Sequence, residues 1–323
     1  MEIFGSNKTY NFMGKRLPFL GFSALLVAIS FILLFTKGLN LGIDFSGGTL
    51  VQVKYTQNAP IDKIREILSK NKMFEKAVVT KFGNDSEIII RIPTSTTTLG
   101  KDIGDDVREI LKPTGDYKIR RVDIVGPKVG NALQEKGLMA LSLALIVILI
   151  YVSFRFEWRF AVASILALIH DISIALGAIA LFNVDVNLDI LAAILTILGY
   201  SLNDTIIVFD RIREGVATSK ENHLDNVVNE SVSRTLSRTT LTSLTTFFVV
   251  LTLYLFGGEI ISGFSFTLLV GVVVGTYSSI FIAASFLVQL NFSISDYRAA
   301  QAAKELRKKE KDRLRAQFEQ GTV

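Results

Sequence analysis

LTILGYSLNDTIIVFDRIRE, residues 195–214, is apolar enough to cross a bilayer, yet it carries Asn203 and Asp204 within it and closes on Asp210, Arg211, Arg213 and Glu214. An ionisable side chain at the centre of a membrane helix costs roughly 2.5–3.5 kcal/mol on insertion scales, so such residues are kept where they pair, conduct or bind. Asp204 is therefore a functional-site candidate, and its reading depends on whether the segments around it are spans as well.

Half of the 323 residues are hydrophobic, only 5 are proline, and the mean hydropathy is +0.42, the balance of an integral membrane protein rather than a soluble domain. A helical crossing takes roughly 17–25 apolar residues. Six stretches qualify, at 17–35, 137–154, 160–182, 190–209, 240–256 and 264–290. The chain has no cysteine, which excludes disulfides and thiol chemistry, and His170 and His223 alone are too few for a structural zinc site. No metal, cofactor or catalytic centre is expected.

The net charge of +5 reads, from its placement, as membrane orientation and not as nucleic-acid binding. Lys8, Lys15 and Arg16 precede the first stretch, Arg155 and Arg159 lie between the second and third, and Arg211, Arg213, Lys220, Arg234 and Arg238 lie between the fourth and fifth. The tail adds KELRKKEKDRLR, whereas the alternate loops NVDVNLD (183–189) and GGEIISG (257–263) contain no Lys or Arg. The positive-inside rule then places both termini in the cytoplasm and residues 37–135 on the outer side. The first stretch has full bilayer length and no small-residue cleavage pattern, so it is expected to stay as an anchor. The expected organisation is a cytoplasmic N-terminus (1–16), a first transmembrane helix (17–36), an external domain (37–135), a five-helix remainder of the bundle (136–290), and a basic cytoplasmic tail (291–323). Within the bundle, Leu224, Val227, Val228, Val232 and Leu236 fall at helical spacing and predict an amphipathic segment over 210–239 lying along the cytoplasmic interface. The tail is expected to meet anionic membrane lipids through long-range charge and to carry no chemistry.

In the external domain the hydrophobic period alternates between two and about 3.6. TLVQVKY (49–55), KAVVTKF (76–82), EIIIRI (87–92) and YKIRRVDIV (117–125) predict strands, and PIDKIREILSK (60–70) and DIGDDVREIL (102–111) predict helices. The order β-α-β-β-α-β is the split βαβ, or ferredoxin-like, arrangement. Asp44 before Gly47 and Gly48 is read as a tight turn into the sheet, because no helix N-terminus follows to cradle a phosphate. Gly126 and Gly130 mark the matching exit, and the two segments together predict stalks about which the domain hinges.

Three motifs in order, LGIDFSGG after the first span, RRVDIVGPKVG at the end of the external domain and ILGYSLNDTIIVFDRIRE in the fourth span, resemble the SecF family of the bacterial SecDF protein-export complexes. The resemblance covers residues 17–290. It implies a member of the resistance-nodulation-division superfamily in the bacterial inner membrane, paired with SecD as two six-span halves. It further implies use of the proton gradient to assist late steps of preprotein translocation through the SecYEG channel. The residues that match the family's proton-conducting Asp and Arg are Asp204 and Arg238.

The residues themselves lead the same way. Thr196, Tyr200 and Asn203, at minus eight, minus four and minus one from Asp204, form a polar stripe expected to face the bundle interior. A carboxyl group whose hydration alternates between two sides changes its protonation, as a proton carrier must. Arg238, at the mouth of the fifth span, cannot deprotonate and so acts as a fixed charge. His170 and Asp171 in the third span point about 100° apart on a helix, and are read as interhelical hydrogen-bonding groups of which one faces the fourth span. Gly271, Gly275 and Ser279 recur every four residues and predict a close helix packing face. Two intramembrane aspartates also occur in aspartyl proteases, but there the acids follow Tyr or Gly, and here Asp171 follows His170 and Asp204 follows Asn203. A passive scaffold has no use for Asp204. The remaining alternative is a proton-coupled exporter of small molecules or lipids, for which an external domain of this size leaves little room for a ligand cavity.

Overall fold

The computed structural model describes residues 8–93, 103–219, 221–290 and 292–319. Asp102, expected to open a helix, and Lys220, counted among the loop cations, lie outside them. Among the described residues six helical stretches are long and apolar enough to span a membrane. The chain begins with α1 (Arg16–Thr36), whose Pro18 sits in the first turn where no backbone donor is needed. After the α/β domain come α5 (Pro127–Arg155), α6 (Trp158–Leu181), α7 (Leu188–Thr218) and α8 (Leu224–Phe256). The sixth crossing is α9 (Ser262–Tyr277), a π-helical segment (Ser278–Ala283) and α10 (Ala284–Gln289), and a separate helix α11 (Ile294–Glu319) forms the tail. The expected six-helix membrane architecture with one α/β domain is therefore present.

Burial ranks the helices. In α6, 61% of the most apolar window is buried, against 11% in α1 and in α5. The bundle is thus built around α6, α7 and α9, and α1, α5 and α8 present apolar outer faces to whatever surrounds the chain. Close approach rests on small residues. A Cβ at Gly271 would lie 2.2 Å from Ile197 and one at Gly275 would lie 3.0 Å from Ser201, so α9 comes against α7 where those glycines stand. Gly177 does the same between α6 and Ser30 of α1.

The α/β domain contains α2 (Ile43–Ser46), β1 (Gly48–Tyr55), α3 (Ile61–Ser69), β2 (Val78–Phe82), β3 (Asn84–Ile92), α4 (Ile103–Leu111) and β4 (Tyr117–Val125). Its sheet runs β2-β3-β1-β4 with antiparallel pairing throughout, which is compatible with the ferredoxin-like reading. Alternation decides the core: Val51, Val53 and Tyr55 of β1 and Ile88, Ile90 and Ile92 of β3 point to one face and pack with Ile64, Leu68, Val107 and Leu111 of the helices. The expected strand start at Lys76 moves to Val78, because the Ala77 N–H closes a turn onto the Phe74 carbonyl at 2.9 Å.

The segment read as an interfacial amphipathic helix is corrected. Its first part continues α7 to Thr218, and residues from Leu224 onward form the start of α8, which runs unbroken for 33 residues. No Gly or Pro interrupts that stretch. Val227, Val228 and Val232 are buried in a core with Val208, Phe209, Ile212 and Val216 of α7 and Leu287 of α10. Gly215 permits this, since a Cβ there would meet Val227 at 3.1 Å and Ser231 at 2.8 Å. The apolar stripe thus faces the protein's own helices.

The α/β domain joins the bundle at a corner tied to the α6–α7 connection. Leu41 bridges Val186, the Gly42 N–H donates to the Val186 carbonyl at 2.9 Å, and Val186 N–H donates to Asn40 at 2.8 Å. Arg91 of β3 pairs with Asp185, which also accepts from Asn40. Asp44 accepts from the Leu188 N–H at 3.1 Å and so satisfies a free donor at the start of α7. The stalk glycines have a packing role here. Gly47, at φ +71, faces Pro127, and a Cβ on Gly130 would lie 2.9 Å from the Gly47 nitrogen. The two stalks form one joined corner, not two independent swivels.

At the other end of the bundle the tail is not a loose charged strand. Arg298 of α11 donates to the carbonyls of Val216 (2.7 Å), Ser219 (2.7 Å) and Glu221 (2.9 Å) and to Asn222 (3.0 Å). It closes the C-terminal end of α7, where helix carbonyls lack partners.

Candidate proton site within the bundle

Asp204 lies near the middle of α7 and is 1% exposed. Its face of the helix is Ser201, Asp204, Thr205 and Val208, all buried. Ser243 of α8 donates to Asp204 Oδ2 at 3.2 Å. The hydroxyls of Thr205 on α7, Thr239 on α8 and Ser278 in the π-helical segment are also buried without a protein partner. Buried polar groups are ordinarily satisfied, so these hydroxyls are departures from the rule within the bundle that holds Asp204. Interruptions of α-helical bonding such as the π segment also recur at functional sites.

Arg238 is exposed on α8, one turn before Thr242, whose hydroxyl donates to its carbonyl. It is close enough to act electrostatically on Asp204, but the carboxylate's hydrogen-bond partner is Ser243. The arrangement is a carboxyl with a fixed cation near it and not in contact.

The polar stripe expected to line the interior is corrected. Thr196 and Asn203 are exposed and face outward from the chain's own bundle, whereas Tyr200 is half-buried with its hydroxyl buried and without a protein partner. The helical period explains it: Asn203 is turned about 100° from Asp204, and Thr196 follows Asn203's side and not that of Ser201 and Thr205.

A second acid sits nearby. Asp171 of α6 is 0% exposed, its Oδ1 is 2.8 Å from His170 Nδ1, and its Oδ2 accepts from Ser201 Oγ of α7 at 2.5 Å. Asp171 is thus the member of the pair that faces the fourth span. His170 turns its ring toward Tyr277 of α9 at 6.4 Å. Sequence reasoning passed over Ser201, Ser243, Thr205 and Thr239. The available signal was their spacing, with Ser201 one turn before Asp204 and Thr239 one turn before Ser243. Among the described residues there is no group of three or more His, Cys, Asp or Glu side chains placed to hold a metal ion.

Residues 106–293 match the family described as protein export membrane protein SecD/SecF, C-terminal, and residues 32–59 match the SecD/SecF GG motif. The protein translocase subunit SecF of Helicobacter pylori strain J99 is 48% identical over 323 residues, covering 100% of both chains. That of Escherichia coli O157:H7 is 40% identical over 286 residues, covering 88% of each. The crystal structure of SecDF, a translocon-associated membrane protein from Thermus thermophilus, matches 90% of this chain at 34% identity with a TM-score of 0.82. A SecDF structure in a super-membrane-facing form matches 93% of the chain at the same 34% identity with a TM-score of 0.66. This chain spans 40% of the length of each of those two structures' chains.

Proposed function

We propose, proceeding from the fact that this chain belongs to the SecF family of protein-export membrane proteins, that it takes up and releases protons at Asp204 to drive late steps of preprotein translocation. It acts as one half of a membrane unit whose other half is SecD, beside the SecYEG channel. Both termini lie in the cytoplasm and the α/β domain lies on the outer side, as the distribution of Lys and Arg requires.

The observation that carries the reading is Asp204: a carboxyl group 1% exposed, at mid-helix and held by one serine hydroxyl. Its protonation depends on hydration and on the distance to the nearest fixed cation. Arg238 is that cation, and it approaches or withdraws as α8 shifts along α7. The outward-facing Thr196 and Asn203 support a helical partner in the membrane, because polar groups facing lipid are better satisfied by another helix. That partner is SecD in this reading.

The test is gradient-dependent translocation of a preprotein into vesicles carrying the assembled complex. Asp204→Asn keeps size and hydrogen bonding and removes ionisation. It is expected to insert and assemble normally and to reduce the gradient-dependent component to background; a wild-type rate would reduce Asp204 to a packing residue.

A further inference from the structure

Asp171 has an environment unlike that of Asp204. No Lys or Arg occurs in α1 after Arg16, in α5 between Lys136 and Arg155, in α6 after Arg159, or anywhere from Ser262 to Gln289. These helices and α7 are the elements packed against α6. The titratable groups that face Asp171 are His170 beside it, Tyr277 of α9 near the His170 ring, and Asp204 one turn along α7 from the serine that Asp171 holds. Tyr200 of α7 is half-buried, with its hydroxyl buried and without a protein partner, about 40° around the helix from Asp204.

A fully buried carboxylate without a permanent cation is not sustained by hydroxyl donors alone. Among the described residues, His170 is the group in contact with Asp171 that can become a cation, so a proton held by the pair has two places to sit. Bonding at Nδ1 fixes the imidazole's orientation and leaves Nε2, which is buried and has no partner, as the second proton position of the ring. The pair is built to hold a proton that can leave.

We infer that His170, Asp171 and Ser201 form a second proton-binding station, which exchanges its proton with Asp204 along one turn of α7. Residues three apart on a helix place their Cβ atoms about 5–6 Å from each other, a separation that a rotation of Asp204 away from Ser243 bridges to Ser201. In the exchange, with the pair's own proton on His170 and Asp171 the carboxylate, the proton of the Asp204 carboxyl passes to Ser201 Oγ as the proton already on Oγ passes to Asp171 Oδ2. One O–H bond forms and one breaks at Ser201, Asp204 becomes the carboxylate, Asp171 becomes the acid, and the total charge is unchanged. Gly275 assists by leaving the space opposite Ser201 free of a side chain. The inference rests on the proton-carrying role proposed for Asp204 and adds to it a residue pair with a separate readout.

The first measurement is infrared difference spectroscopy of the full chain in lipid nanodiscs during a pH titration, with isotope-labelled aspartate. In the Asp204→Asn protein a buried carboxylic acid band is expected to remain and to titrate, to vanish in the Asp204→Asn, Asp171→Asn double variant, and to shift in its titration midpoint with His170→Gln. Absence of a titrating buried band in Asp204→Asn would overturn the station. The second is gradient-dependent translocation by the assembled complex as a function of pH. Ser201→Ala is expected to lower the rate about tenfold or more, within the range for a lost proton-transfer group, and to displace the pH profile, while Ser201→Thr restores both. An unchanged profile in Ser201→Ala would overturn the exchange. Should Asp204→Asn translocate at the wild-type rate while the Asp171 band still titrates, the proposed role of Asp204 fails and the exchange with it, but the second station stands. If Asp171→Asn does not fold, Asp171→Glu is used in its place: the band is then expected to persist but to move in frequency and midpoint, and an unmoved band would overturn its assignment to Asp171.

Discussion

Asp204 has one hydrogen-bonding neighbour, Ser243 at 3.2 Å, and a cation that acts on it from a distance. Such a group works by changing partners, so the geometry of the alternative partner matters as much as its charge. Arg238→Lys keeps the charge and loses the planar fork that grips a carboxylate through two parallel hydrogen bonds. It is expected to cut gradient-dependent translocation about tenfold, the lower end of the roughly 1.5–3 kcal/mol of a hydrogen bond to a charged group, since the ammonium keeps one such bond and loses the second. Asp204→Glu keeps a titratable group one methylene longer and is expected to retain part of the rate; measured side by side in vesicles, equal activity of Arg238→Lys and wild type would remove the bidentate step. Asp204 was legible from sequence because a carboxylate in an apolar run has a cost that demands a reason. Ser201 and Ser243 were not, because serines in membrane helices commonly bond the carbonyl one turn back, as Ser164 does to Phe160 and Ser173 to Ile169. Which serine instead reaches across to a carboxylate depends on how the helices are rotated, and that is a property of packing.

α7 is the element on which these residues ride, and it is held from outside at both ends. Asp44 accepts from its first turn, and Arg298 donates to carbonyls at and beyond its last. A shift of α7 along its axis therefore pulls on the α/β domain at one end and on the tail helix at the other. The tail was read as charge without chemistry, since one arginine in a basic run carries no local mark of being the cap. Four hydrogen bonds from one guanidinium make Arg298 different from its neighbours. Arg298→Ala is expected to lower the stability of the chain by about 2–3 kcal/mol, the range for charged hydrogen bonds whose acceptors are left unpaired, read as a lower thermal unfolding midpoint in detergent. A chain truncated after Ala303 keeps Arg298 and is expected to unfold like the full chain. Equal midpoints for Arg298→Ala and wild type would show that the cap contributes nothing. The segment beginning at Leu224 teaches the complementary lesson: the 3.6-residue period gave the helix and its apolar stripe correctly, but periodicity does not say whether lipid or protein covers a stripe. Gly215 decides it by letting α8 lie against α7.

For the whole molecule, the proposed function requires a route by which proton uptake at Asp204 would move the α/β domain. The six helices and the alternating strands were readable because each obeys a local period. The corner between domain and bundle was not, because Arg91, Asn40 and Asp185 are far apart in sequence and individually look like ordinary surface polar residues. Arg91 is only 13% exposed at its side chain, and its pairing with Asp185 links β3 directly to the loop that begins α7. With Gly47 and Gly130 packed against each other, a rigid-body motion of the domain would have to pass through this corner and open the Arg91–Asp185 link. The natural chain contains no cysteine, so Arg91→Cys with Asp185→Cys can be joined by a short cleavable bis-maleimide without competing thiols. The joined protein is expected to remain inserted and assembled but to lose gradient-dependent translocation, and cleavage of the linker is expected to restore it to the level of the two single-cysteine proteins. Those single variants, treated with a monofunctional maleimide, measure what loss of the ion pair alone does, which for a partly exposed pair is about 1 kcal/mol or less. Full activity in the joined protein would mean that the domain does not swing about this corner, and that the proton's work is delivered through the outer polar face of α7 instead.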